Sequence, residues 1–155
     1  MAAHCLDRWR RYLTEDDYSY LIQYVENVKN NISNDKMIIL SGPSSTGKTT
    51  LTNDIQTYLG DEKFEEYVYP CEIIYNENIK NLGYFCGIDS LASNKKNNNA
   101  IINFIKYKQS FISDTIHIEK VNSKLLEYSR VINMTHVFKT IFKIIHKQMN
   151  YQKYL

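Results

Sequence analysis

Apolar residues recur at helical spacing early in the chain. Tyr18, Leu21, Ile22, Val25 and Val28 share one face of a helix predicted over about Glu15–Asn31. Thr14 is its N-cap, and Glu15, Asp16 and Asp17 complement the positive start of the helix dipole. Asn30, Asn31, Ser33, Asn34 and Asp35 then form a turn, and the period changes. Lys36–Ser41 holds a run of consecutive apolar residues between turn signals, the pattern of a short strand buried on both faces. A helix is predicted over about Lys48–Leu59, with Leu51, Ile55 and Leu59 on one side and a stop at Gly60. Glu65–Tyr75 reads as one or two short strands around Pro70, and Leu82–Ile88 as an apolar run ending on Asp89. Ser93–Asn99 reads as a polar loop. A helix follows over about Ala100–Lys108, then a strand at Ser110–Ser113, a helical turn near Ser123–Tyr128 and a strand at Val131–Met134. A last amphipathic helix is expected from about His136 to Gln148, capped by Thr135. This alternation predicts an α/β fold: a mostly parallel sheet with helices on both faces, a three-layer α/β/α sandwich preceded by an N-terminal helix.

Length and composition narrow the picture. At 155 residues the chain is one domain's worth, divided here into a helical extension over 1–35, a core over 36–148 and a tail over 149–155. Hydrophobic residues make up 43% and charged ones 23%, with a net charge of +2, which excludes a disordered or histone-like chain. No run of apolar residues is long enough to span a membrane. The start runs into Arg8, Arg10 and Arg11 with no apolar segment of the signal-peptide kind, so an intracellular, cytoplasmic location is expected. Arg8-Trp9-Arg10-Arg11 itself reads as an exposed basic extension. The three cysteines (Cys5, Cys71, Cys86) form no CxxC pair, and the four histidines have no metal-ligand spacing.

The residues that carry chemistry follow the first strand. Gly42-Pro43-Ser44-Ser45-Thr46-Gly47-Lys48-Thr49, followed by Thr50, matches G-x-x-x-x-G-K-[ST] between a strand and a helix, the context this phosphate-binding loop requires. Gly42 and Gly47 permit backbone conformations that turn successive N–H groups inward. The start of the next helix adds unpaired N–H donors and partial positive charge. Lys48 is placed to hold the β- and γ-phosphates of ATP, and the Thr49 hydroxyl to ligate Mg²⁺. The chain is therefore expected to be a P-loop NTPase.

Such a loop needs an acid at the end of a neighbouring strand, because ligands of open α/β sheets bind beyond the strands' carboxyl ends. Leu82–Ile88 ends on Asp89, and Gln109–Ser113 on Asp114; either carboxylate could serve the Mg²⁺ shell or orient the attacking water.

The order of these segments, together with Ser129-Arg130-Val131-Ile132-Asn133-Met134-Thr135-His136-Val137-Phe138, resembles the ATPase core of superfamily 3 helicases. The likeness is especially to the AAA+-like primase-helicases of large DNA viruses, and it covers about 36–138. It implies a Mg·ATP-hydrolysing motor that acts on single-stranded or duplex DNA as a homo-oligomeric ring, in a host cytoplasm or virion. It also implies that Asp89 ends the metal-binding strand, that Asp114 or Thr115 is the polar sensor, and that Arg130 is an arginine finger given to a neighbouring subunit. The chain departs from the family at two points. Gly87 and Ser90 flank Asp89, so one acid of the usual pair is missing, and an Asp stands where Asn is usual. Both bear on hydrolysis rather than on nucleotide binding. Lys95, Lys96, Lys106 and Lys108 are candidate contacts for a nucleic-acid backbone.

Two other readings suit the same residues. One is a small-molecule or nucleotide kinase with Asp114 as base, although Arg130 is the only arginine beyond residue 11 and no arginine-rich lid is present. The other is an assembly switch that binds nucleotide without turning it over.

Overall fold

The computed structural model describes residues 4–67, 81–91 and 94–134. The predicted helix over 136–148, the tail over 149–155 and the stretch beyond Tyr67 around Pro70 lie outside them.

Helices α1 (His4–Asp7) and α2 (Glu15–Lys29) precede strand β1 (Met37–Ser41) and helix α3 (Lys48–Leu59). Strands β2 (Phe64–Tyr67) and β3 (Leu82–Phe85) follow, then α4 (Lys95–Lys106), β4 (Ser110–Thr115), α5 (Ser123–Glu127) and β5 (Ser129–Asn133). The five described strands form one sheet in the order β2-β3-β4-β1-β5, parallel throughout.

Strand alternation sorts the side chains into two layers. Ile38, Leu40, Ile112, Tyr84 and Ile132 pack beneath α1, α2 and α3. Met37, Ile39, Phe111 and Phe85 face the other way, onto Ile101, Ile102 and Ile105 of α4 and Leu125 of α5. The α/β/α arrangement expected from the sequence is present in the described residues.

The cap at Thr14 forms as the sequence suggests, its hydroxyl accepting the Asp17 N–H at 3.2 Å. Three local expectations differ. Helix α4 begins at Lys95 rather than Ala100, because Asn94 caps it by accepting the Asn97 N–H at 3.1 Å. The asparagine-rich stretch read as a loop is thus a capped first turn. Strand β3 stops at Phe85, and a 3-10 turn over Ile88–Leu91 carries Asp89.

The third is Arg8–Arg11: its three arginines are exposed as expected, but the segment is a docked 3-10 turn that buries Trp9 completely rather than a free extension. Asp54 on α3 explains it. Its Oδ2 accepts the Trp9 indole N–H at 2.7 Å and the Arg8 Nε–H at 2.8 Å. Leu6, Trp9 and Leu13 share the hydrophobic core of Leu51 and Ile55, so this segment packs on the back of the helix that begins at the phosphate loop.

Candidate functional site

The loop between β1 and α3 lies at the carboxyl edge of the sheet, where β1 is flanked by β4 and β5. Both neighbours fasten its base. The Gly42 N–H donates to the Thr115 carbonyl at 3.2 Å, and the Met134 N–H to the Ser41 carbonyl at 2.7 Å. A Cβ on Gly42 would lie 2.6 Å from the Met134 carbonyl oxygen, so only glycine fits there. Higher in the loop, Ser45 (φ 64°) and Gly47 (φ 94°) adopt left-handed backbone, which turns peptide N–H groups to one side. The Thr46 hydroxyl braces the turn by donating to the Pro43 carbonyl at 2.8 Å.

Among the described helices longer than ten residues, α2 and α4 have side-chain caps. α3 starts at Lys48 after Gly47, which offers no capping side chain, so its first N–H groups are left to whatever lies before them. Lys48 is buried; its ammonium donates to the Gly42 carbonyl, to the Pro43 carbonyl at 2.7 Å and to the Thr46 hydroxyl at 3.4 Å. Burial pulls its pKa below the ordinary 10.5, and the Asp114 carboxylate acts in the opposite sense. In front of the loop lies a cleft of about 380 Å³ lined by Ser44, Ser45, Gly47, Lys48, Thr49, Thr50, Asp114 and Ile116. That volume lies within the range of small-molecule sites.

The two candidate acids occupy opposite faces of the sheet. Asp114 pairs in register with Leu40 and lies two residues beyond Ile112, which puts it on the α3 side with the loop. Its Oδ1 accepts the Gly87 N–H at 2.9 Å and its Oδ2 the Tyr84 hydroxyl at 3.0 Å. Thr115 alternates to the α4 side, where its hydroxyl donates to Asp89 Oδ1 at 2.8 Å. Asp89 does not line the cleft.

Arg130 is distant from the loop as well. It pairs in register with Ile38, near the start of β1, whereas the loop leaves the far end of that strand at Ser41. Its guanidinium donates to Asp17 Oδ1 at 3.0 Å and lies 5.1 Å from the Tyr20 ring centre. The structure thus brings together Gly42, Pro43, Ser44, Ser45, Thr46, Gly47, Lys48, Thr49, Thr50 and Asp114, and leaves Asp89 and Arg130 outside the cleft. Of the lysines named for nucleic acid, Lys108 is paired with Asp35 at 2.7 Å, and Lys106 lies 5.5 Å from the Tyr128 ring centre.

Sequence reading gave no role at the site or toward Arg130 to Tyr84, Ile116 or Asp17. Tyr84 carried a usable signal: a tyrosine inside a strand buried on both faces needs a partner for its hydroxyl. Asp17 carried none, because its contact with Arg130 joins residues far apart in sequence.

A loop fastened on both sides at its base, glycine-restricted there and followed by an uncapped helix, is the phosphate cradle of the P-loop fold. No protein-family model and no curated protein matches the sequence. Solved structures of the AAA+ P-loop fold do resemble it. A DNA replication initiation factor matches with a TM-score of 0.59 at 13% identity, covering 90% of this chain and 53% of that one. A Thermotoga maritima RuvB variant matches at 0.57 and 18%, covering 80% and 45%. C. elegans PCH-2 matches at 0.53 and 16%, covering 87% and 47%. The chain spans about half the length of these proteins. At such identities the likeness establishes the fold, and among the described residues no helix is long and apolar enough to cross a membrane.

Proposed function

We propose that this chain is an ATP-binding P-loop NTPase, the ATPase core of a helicase-type motor that acts on DNA as an oligomer, in the manner of superfamily 3 enzymes. The observation that carries the nucleotide reading is the cleft itself: the Lys48 ammonium, the uncapped start of α3 and the turned loop backbone converge on one space. Gly42 lets the base of the loop close against the chain just beyond β5, since a Cβ there would meet the Met134 carbonyl, and this holds the loop above it in place. The DNA part rests on the resemblance in motif order and on the kinship of fold with a DNA replication initiation factor.

In this reading Lys48 exchanges its loop carbonyls for β- and γ-phosphate oxygens, and the N–H groups from Gly47 onward bind the same phosphates. No cluster of three or more His, Cys, Asp or Glu suited to a metal occurs among the described residues. Mg²⁺ would therefore be held by the nucleotide with the Thr49 hydroxyl and Asp114, and would supply charge neutralisation on the transferring phosphoryl group. Asp114 is the acid on the loop's side, and its lone pairs not taken by Tyr84 and Gly87 are available to water. Asp89 steadies the end of β4 from the opposite face through Thr115. Arg130 ties β5 to α2.

One feature favours a second reading, a nucleotide-dependent assembly switch with little turnover: both acids already accept hydrogen bonds from protein donors. Phosphate release measured with and without single-stranded DNA, beside light scattering with and without Mg·ATP, separates the two. The motor reading expects DNA-stimulated release from an oligomer. ATP-induced assembly without release supports the switch, and transfer of the γ-phosphate to a nucleoside supports a kinase instead.

A further inference from the structure

We propose that Tyr84 is a positioning residue of the nucleotide site, holding the Asp114 carboxylate in place; this rests on the cleft being an ATP site. Strand β3 ends at Phe85, and Cys86 and Gly87, not an acid, follow it. The carboxylate instead comes across from β4: Asp114 accepts the Gly87 N–H with one oxygen and the Tyr84 hydroxyl with the other. Two donors on two oxygens fix the carboxylate plane, which one donor leaves free to rotate.

Tyr84 is itself immobilised. It is buried in the sheet's second strand and stacks on Phe64, with ring centres 6.1 Å apart and planes 26° apart. Asp114 is the only carboxylate lining the cleft among the described residues. An aromatic hydroxyl two residues before Cys86 thus sets the direction of the site's acid from the neighbouring strand.

The test is a double-mutant cycle on the full chain with Tyr84→Phe, Asp114→Asn and both together. Turnover and ATP affinity with and without Mg²⁺ are measured for each, and melting curves check the fold. Tyr84→Phe is expected to lower kcat about tenfold, the scale of one hydrogen bond to a charged group, with the Kd for ATP measured without Mg²⁺ within about twofold. In the Asp114→Asn background it is expected to change nothing further, an outcome that loss of packing alone does not give. Phe64→Leu removes the ring stack but keeps the hydroxyl, and is expected to lower the melting temperature more than kcat. If the wild type binds ATP without turnover, the readout becomes the gain in affinity that Mg²⁺ brings, which Tyr84→Phe and Asp114→Asn should each reduce without adding. Additive effects, or a Tyr84→Phe variant indistinguishable from wild type, overturn the role alone. A wild type that binds no nucleotide overturns the ATP reading, and this role with it.

Discussion

Replacing Gly42 by alanine isolates the geometry of the loop's base from its chemistry, since no polar group is lost. The new Cβ would stand 2.6 Å from the Met134 carbonyl oxygen, 3.1 Å from its carbon and 3.1 Å from the Thr46 hydroxyl. The oxygen contact has to lengthen from 2.6 Å to at least 3.0 Å, and its partner is backbone rather than a flexible side-chain end. Met134 is held to Ser41 and Gly42 to Thr115, so relief at either point strains the end of a strand. Overpacking of this kind costs about 1–3 kcal/mol. At about 2–4 °C per kcal/mol for a chain of this size, the melting temperature should fall by about 2–12 °C. The loop's N–H groups shift with its base, so affinity for a fluorescent ATP analogue should fall about tenfold or more. Gly60→Ala is the control. It has open space around it but a left-handed φ of +82°, so it should lose about 1 kcal/mol of stability and no nucleotide affinity. A Gly42→Ala protein that melts and binds like wild type would refute the reasoning.

Four further outcomes follow from particular contacts. Trp9→Ala should destabilise the chain by about 3–5 kcal/mol in urea melts, because a fully buried indole and its bond to Asp54 are lost together. Tyr24→Phe should cost about 1–3 kcal/mol, since the Tyr24 hydroxyl both accepts the Phe111 N–H at 3.1 Å and donates to its carbonyl at 3.2 Å in the core. The same residue sets a pH dependence. Burial holds the Tyr24 phenol well above its ordinary 10.0, so the folded chain keeps a proton that the unfolded chain releases, and stability falls as pH rises beyond that value. Urea melts across that range should show a shallower loss for Tyr24→Phe than for wild type. Arg130→Ala, breaking a partly exposed pair with Asp17, should cost under about 1 kcal/mol and leave turnover within about twofold. A loss near a thousandfold would instead mark Arg130 as a finger serving a neighbouring subunit.

The phosphate loop was legible because its information is local: glycines, Lys48 and Thr49 sit at fixed offsets between a strand pattern and a helix pattern. The strand alternation and the Thr14 cap were legible for the same reason. What the sequence left open depends on pairing across the sheet. Asp89 and Asp114 look equivalent as acids after apolar runs, yet β3 ends three residues short of Ile88 and β4 runs on through Thr115. That register puts Asp114 beside the loop and Asp89 on the opposite face. Arg8–Arg11 read as a solvated basic stretch because its partner, Asp54, is remote in sequence. The neighbours of Arg130 within the chain, Asp17 and Tyr20, come from a helix more than a hundred residues earlier, so its local sequence does not reveal them. The first turn of helix α4 is hidden in the sequence by a run of asparagines, which are poor helix formers, although Asn94 is a good cap.

The central claim is that the amides following Gly47 and the ammonium of Lys48 bind a triphosphate. Calorimetric titration of the folded chain with Mg·ATP, beside the Lys48→Ala variant, tests it most directly. One site per chain is expected in the wild type and at least a tenfold weaker one in the variant, about 1.4 kcal/mol or more. Absence of binding heat from folded wild-type protein, or equal affinity in the two, would contradict it.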